Sequence, residues 1–118
     1  MAQKTPNLIP RNSVKRVRQY LVFVGKRLFE LGMVSGTSGN ISALVPGTKM
    51  ALVKKTNVCL GDARPEDFLL IDLDGKVLEG EGAPSKECHF HVDLYKVRPD
   101  VGAVIHGHSP QYVARTIR

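Results

Sequence analysis

The stretch "FLLIDLDGKVLEG", residues 68–80, carries the strongest local hairpin signal in the chain. Phe68–Leu73 is an apolar, β-favouring run, and Lys76–Gly80 reads as its return partner. Asp74-Gly75 stands between them, and both residues tolerate positive φ, so the segment predicts a tight hairpin. An antiparallel sheet therefore lies near the middle of the chain.

Towards the amino end, "ISALV" (41–45), "PGTK" (46–49) and "MALVKK" (50–55) read as strand, turn and strand, a second hairpin. "SGTSGN" (35–40) precedes it as a turn-rich loop. Before that, Val14, Val17, Leu21, Val24, Leu28 and Leu31 recur at steps of three and four, which is one face of a helix. Asn12 or Ser13 is expected to cap its start, and Gly32 to end it. Residues 1–12 read as a polar, proline-bearing arm, and 13–118 as one domain.

Towards the carboxyl end, a helix is expected from about Ser85 to Val97. Ser85 is its N-cap, Glu87 sits in the first turn where the helix dipole favours a negative charge, and Leu94 and Val97 are available to the core. "VGAVIHGH" (101–108) reads as a central strand buried on both faces, and "QYVARTIR" (111–118) as the opening of another helix. Little sequence follows that strand to cover it. Helix, hairpins, helix, strand and helix make an α/β arrangement with a mostly antiparallel sheet.

The 118 residues are 42% hydrophobic and 24% charged, within the globular range and long enough for a real core. The net charge of +6 lies mostly along the first helix and the last four residues, which suits a solvated helix face or a pocket for a phosphorylated metabolite better than nucleic acid. Cys59 and Cys88 have no zinc-knuckle spacing and fit free thiols in a reducing compartment. Lys4, Pro6 and Pro10 break any secretory signal, and no apolar run approaches a membrane span, so the expectation is a soluble cytoplasmic protein.

Three groups of residues are capable of chemistry. His106 and His108 alternate along a strand and so share a face, either as a pair of divalent-metal ligands or as strand-end histidines bonded to solvent. Glu87 is either a reactive carboxylate or a helix-stabilising acid; His91 lies on its face of the helix, and His89 points elsewhere. The loop "SGTSGN" either turns the chain or gathers backbone N–H groups, with Thr37, Ser38 and Asn40, around an anion. Its glycine spacing matches neither the P-loop nor the dinucleotide fingerprint.

Three segments, "LGMVSGTSGNIS", "PEDFLLIDLDGKVLEGEGAPSKE" and "HVDLYKVRPDVGAVIHGHSP", together resemble the class II aldolase/adducin family from about Val14 to Val113. Its enzymes include L-fuculose-phosphate and L-rhamnulose-phosphate aldolases, ribulose-phosphate 4-epimerases and methylthioribulose-phosphate dehydratases. The resemblance implies a three-layer α/β/α fold with a central, mostly antiparallel sheet. It implies that His106, His108 and Glu87 bind Zn²⁺, or another divalent metal such as Mn²⁺ or Co²⁺, and that Glu87 is also catalytic. It implies that Gly39, Asn40, Ser85, Lys86 and Thr56 hold a substrate phosphate. The pattern departs at Lys86, where serine is usual, at Asn57, where glycine is usual, and at Leu44, where a basic residue is usual.

The implied activity is a metal-dependent lyase of carbohydrate metabolism. It would cleave a ketose 1-phosphate such as L-fuculose 1-phosphate into dihydroxyacetone phosphate and an aldehyde, in a homotetramer with no nucleic-acid or membrane partner. Epimerase, dehydratase and decarboxylase relatives share these motifs, and adducin uses the homologous domain in assembly. The family's third zinc histidine and its carboxyl-terminal segment would lie beyond Arg118, so the expectation is the amino-terminal part of such a domain.

Overall fold

A computed structural model describes residues 9–107. Helix α1 spans Arg11–Glu30, starting slightly earlier than the capping residues suggested, with Pro10 at the N-cap position. Proline is at home at a helix start, where its missing N–H costs nothing. Val14, Leu21 and Leu28 are buried, with Val17 and Val24 packed beside them. Leu31, expected in this stripe, is instead 55% exposed. The helix has ended there: Gly32 takes a φ of 75°, its N–H bonds Phe29 O, and Met33 N–H bonds Leu28 O. That pair of bonds is a Schellman C-cap.

Strands β1 (Asn40–Leu44), β2 (Met50–Lys54), β3 (Phe68–Asp72), β4 (Val77–Glu79) and β5 (Ala103–His106) form one sheet in the order β4-β3-β2-β1-β5. Every neighbouring pair is antiparallel. The hairpin at residues 68–80 forms, but its turn differs from the two-residue one expected. Asp72 N–H bonds Lys76 O, so Leu73, Asp74 and Gly75 make the loop, and of these only Gly75 has positive φ, 87°. The Asp72 carboxylate sets this loop by accepting the N–H groups of Asp74 and Lys76, each at 2.9 Å.

Side chains alternate across the sheet. Ile41, Leu52, Phe68 and Leu70 meet α1, whereas Ala51, Val53, Leu69 and Ile71 meet helix α2, Cys88–Val97. This is the three-layer α/β/α arrangement. Two buried apolar clusters, one on each face, hold the layers together. Basic residues of α1 also tie it to the sheet. Arg11 pairs with Glu79, and Arg18 Nε donates to Phe68 O at 3.2 Å.

Two further expectations are corrected. The second helix begins at Cys88, not Ser85, because Ser85 N–H is bound to Lys54 O and Pro84 bridges to Lys55, which keeps that segment alongside the sheet. Its buried face is Cys88, His91, Val92 and Tyr95, which leaves Leu94 and Val97 40% and 70% exposed. Strand β5 is not a central buried strand here. Among the described residues its one neighbour is β1, and Ala103, Ile105 and His106 are exposed. The segment read as a last helix, 111–118, lies outside the described residues.

Candidate functional site

Three chain segments and one strand end surround a cavity of about 290 Å³. The loop after α1 brings Thr37, Ser38 and Gly39, and β1 opens with Asn40. The segment after β2 brings Thr56 and Asn57, the one before α2 brings Ser85, Lys86 and Glu87, and β5 ends with His106. Gly39 is required by geometry. Its φ is 87°, and a Cβ there would lie 2.3 Å from a Val34 methyl carbon. Asn57 has a φ of 62°, a conformation asparagine tolerates better than other side-chain-bearing residues.

The loop of residues 35–40 does not offer all its donors to a ligand. Ser38 N–H bonds Ser35 O at 2.9 Å, and Ser38 Oγ bonds the same carbonyl at 2.6 Å. Those groups brace the turn, and of the loop's candidate donors Ser38 is committed inward.

Glu87 is the centre of the polar arrangement. Its Oε1 accepts Asn40 Nδ2–H at 2.7 Å and His106 Nδ1–H at 2.5 Å. Asn40 and His106 face each other in the β1–β5 register, so the strand pairing brings both donors to one point. The hydrogen bond from His106 holds the carboxyl below its ordinary pKa, with Asn40 adding to the effect, and burial opposes them. The result is an ionised carboxylate, half-exposed, at the cavity wall. Asn40 is itself buried, and its Oδ1 has no hydrogen-bond partner among the described residues. A buried acceptor left unpaired costs about 1–3 kcal/mol. A ligand hydroxyl is the kind of donor that would remove that cost.

One residue of the cavity wall was missed in the sequence. Lys54 is 2% exposed, and its Nζ donates to Thr37 O and Val58 O, each at 2.9 Å. It ties the loop after α1 to the segment after β2. Burial pushes its pKa down, while the nearby Cys59 and Glu87 push it back up. The signal was available: Lys54 lies two residues after Leu52, in phase with a strand's core-facing row.

Of the sequence candidates, Gly39, Asn40, Thr56, Ser85, Lys86, Glu87 and His106 all line the cavity. His108 lies outside the described residues. His91 is buried with its Nδ1 bonded to Ser42 Oγ, and His89 bonds Lys86 O at 3.0 Å and stacks on Phe90. Neither His89, His91 nor Leu44 lines the cavity. No group of three His, Cys, Asp or Glu side chains able to hold a metal occurs among the described residues. His106 and Glu87 nevertheless bring an imidazole and a carboxylate to one point, a donor pairing that suits Zn²⁺ chemically.

A sequence model described as "Class II Aldolase and Adducin N-terminal domain" matches residues 19–118. A 5-deoxy-D-ribulose 1-phosphate aldolase of Bacillus thuringiensis serovar kurstaki is 35% identical over 104 residues, covering 88% of this chain and 48% of that protein. Among solved structures, an L-fuculose 1-phosphate aldolase superposes with a TM-score of 0.75 at 32% identity, over 80% of this chain and 45% of that one. The L-fuculose-1-phosphate aldolase of Thermus thermophilus gives a TM-score of 0.72 at 30% identity, over 89% of this chain and 52% of that one. The chain thus spans about half the length of the relatives it matches.

Proposed function

This chain belongs to the class II aldolase and adducin family, and from that premise we propose that its cavity serves a metal-dependent sugar-phosphate aldolase. The substrate class is a ketose 1-phosphate, in the manner of the 5-deoxyribulose and fuculose phosphates named for its relatives. The products are dihydroxyacetone phosphate and an aldehyde. The observation that carries this reading is the Glu87 carboxylate, held on Asn40 and His106 at the wall of a polar cavity.

Each residue has a role in the proposal. In the cleavage direction ionised Glu87 takes the C4 hydroxyl proton, the C3–C4 bond of the ketose breaks, C4 becomes the aldehyde carbon, and the same proton passes to C3. Glu87 is assigned to that proton. Its ionised state suits the reverse, condensation direction, in which Oε withdraws the proton from dihydroxyacetone phosphate. Asn40 Nδ2 and His106 Nδ1 orient the carboxylate, and Asn40 Oδ1 accepts from a substrate hydroxyl. Gly39, Thr56, Ser85 and Lys86 receive the phosphate, with Lys86 acting as a point charge. Anchoring the phosphate away from the reacting carbon lets binding energy orient the substrate.

His106, Glu87 and His108 would hold the divalent cation, Zn²⁺ or alternatively Mn²⁺ or Co²⁺. When bound, such an ion supplies Lewis-acid stabilisation to charge developing on the ketose oxygens. We place the activity in the cytoplasm, where a reducing environment maintains thiols such as Cys59 and Cys88, both free here. We also propose a homotetramer, which light scattering on the purified protein would test.

Substituting Glu87→Gln keeps the shape and removes the base. Retro-aldol turnover should fall by about 10²–10⁴-fold. Unchanged turnover in Glu87→Gln would refute the assignment. Interconversion of sugar phosphates without cleavage would instead move the chain to the epimerase branch of the family.

A further inference from the structure

Behind the cavity wall lies a second polar cluster that the proposed reaction does not use. Ser42, His91 and Tyr95 are 1%, 3% and 4% exposed. Ser42 Oγ lies 2.6 Å from His91 Nδ1 and 2.6 Å from Tyr95 OH. Buried polar groups are costly unless bonded, so three of them meeting in a core face need a reason.

The spacing supplies one. Asn40 and Ser42 are two apart on β1 and share its α2-facing side. Glu87, His91 and Tyr95 follow at four-residue steps from the N-cap along α2. Two strand residues advance about 6.6 Å and four helical residues about 6 Å, so the first two rungs keep step, and Tyr95, one helical step further on, reaches back to Ser42. The rungs are Asn40–Glu87, Ser42–His91 and Ser42–Tyr95. Apolar contacts from Cys88 and Val92 also hold α2 to the sheet, but such contacts are non-directional and tolerate sliding or rotation. Hydrogen bonds do not.

We infer that Ser42, His91 and Tyr95 are positioning residues. They lock α2 in register along β1 and thereby seat the Glu87 carboxylate on Asn40 and His106. The inference rests on the proposed role of Glu87, and its test separates the two.

The test uses Tyr95→Phe, which removes one hydroxyl and keeps the ring, and Ser42→Ala, with Ser42→Thr restoring the hydroxyl. Two readouts are taken: steady-state cleavage of a ketose 1-phosphate, and the ring ¹⁵N resonances of His106 in metal-free protein. In Tyr95→Phe and Ser42→Ala, kcat should fall about tenfold or more while KM stays within about twofold, since neither residue lines the cavity and the Ser85 N–H is held separately by Lys54 O. The His106 resonances should move towards those seen in Glu87→Ala, and Ser42→Thr should recover both readouts. An unmoved His106 spectrum in Tyr95→Phe and Ser42→Ala overturns the inference, whatever the kinetics. So does a rise in KM with kcat unchanged. If the unaltered protein cleaves no ketose phosphate and His106 still moves in these variants, the positioning role stands and the aldolase reading fails.

Discussion

At the scale of single residues, Gly39 and His91 are the positions whose physics is most exposed to test. Gly39 combines a φ of 87° with a Val34 methyl carbon 2.3 Å from where a Cβ would stand. Gly39→Ala should therefore destabilise the fold by about 1–3 kcal/mol, read as a lowered Tm. His91 is buried, and burial pushes its pKa below the ordinary imidazole value of 6.5. The unfolded chain then binds a proton below pH 6.5 that the folded chain resists. Stability should be greatest above that pH and fall as the pH drops through it. Denaturant titrations across this range should show the acid-side loss, and His91→Gln should flatten it. The residues of the candidate site were readable to different degrees. Asn40, Glu87 and His106 sit in distinctive segments, and the fold gathers them at one carboxylate. Lys54 carries no such mark, because a lysine at a strand end is usually solvated. Only the packing of two loops onto its ammonium buries it.

At the scale of elements, local patterns foretold which segments form helix and strand better than where they sit. The hairpin at 68–80 and the α1 stripe follow from nearest-neighbour chemistry, so they were legible. The start of α2 was not, because it depends on Ser85 N–H bonding Lys54 O, a contact between segments far apart in sequence. The burial of His91 and Tyr95 instead of Leu94 and Val97 was hidden for a similar reason. Ser42 on a different element satisfies their polar atoms. Lys54 makes the corresponding argument for the two loops. Removing its ammonium in Lys54→Met strands two carbonyls, each worth about 1–3 kcal/mol if left buried and unpaired. Amide hydrogen exchange should then quicken in 35–39 and in 56–60 together. Faster exchange in one loop alone would mean that the lysine does not couple them.

At the scale of the whole molecule, the sheet order places the candidate site where β1 meets β5, with α2 delivering Glu87 from one layer and the loop after α1 lying beside it. Strand β5 reads as apolar enough for a sheet centre, yet among the described residues it is flanked on one side only, with Ile105 54% exposed. A position in the sheet is a property of what lies next to the strand, which its own residues do not encode. The layers themselves bring together two loops, a helix start and a strand end that lie far apart in the sequence. The role proposed for this convergence is metal-dependent cleavage of a ketose 1-phosphate. It is tested most directly by release of dihydroxyacetone phosphate from a ketose 1-phosphate by the purified protein, assayed before chelation, after chelation, and after Zn²⁺ is restored. Release is expected to be lost on chelation, regained with Zn²⁺, and absent throughout in Glu87→Gln. Release that survives both complete metal removal and Glu87→Gln would contradict it, as would a metal-loaded protein that releases none.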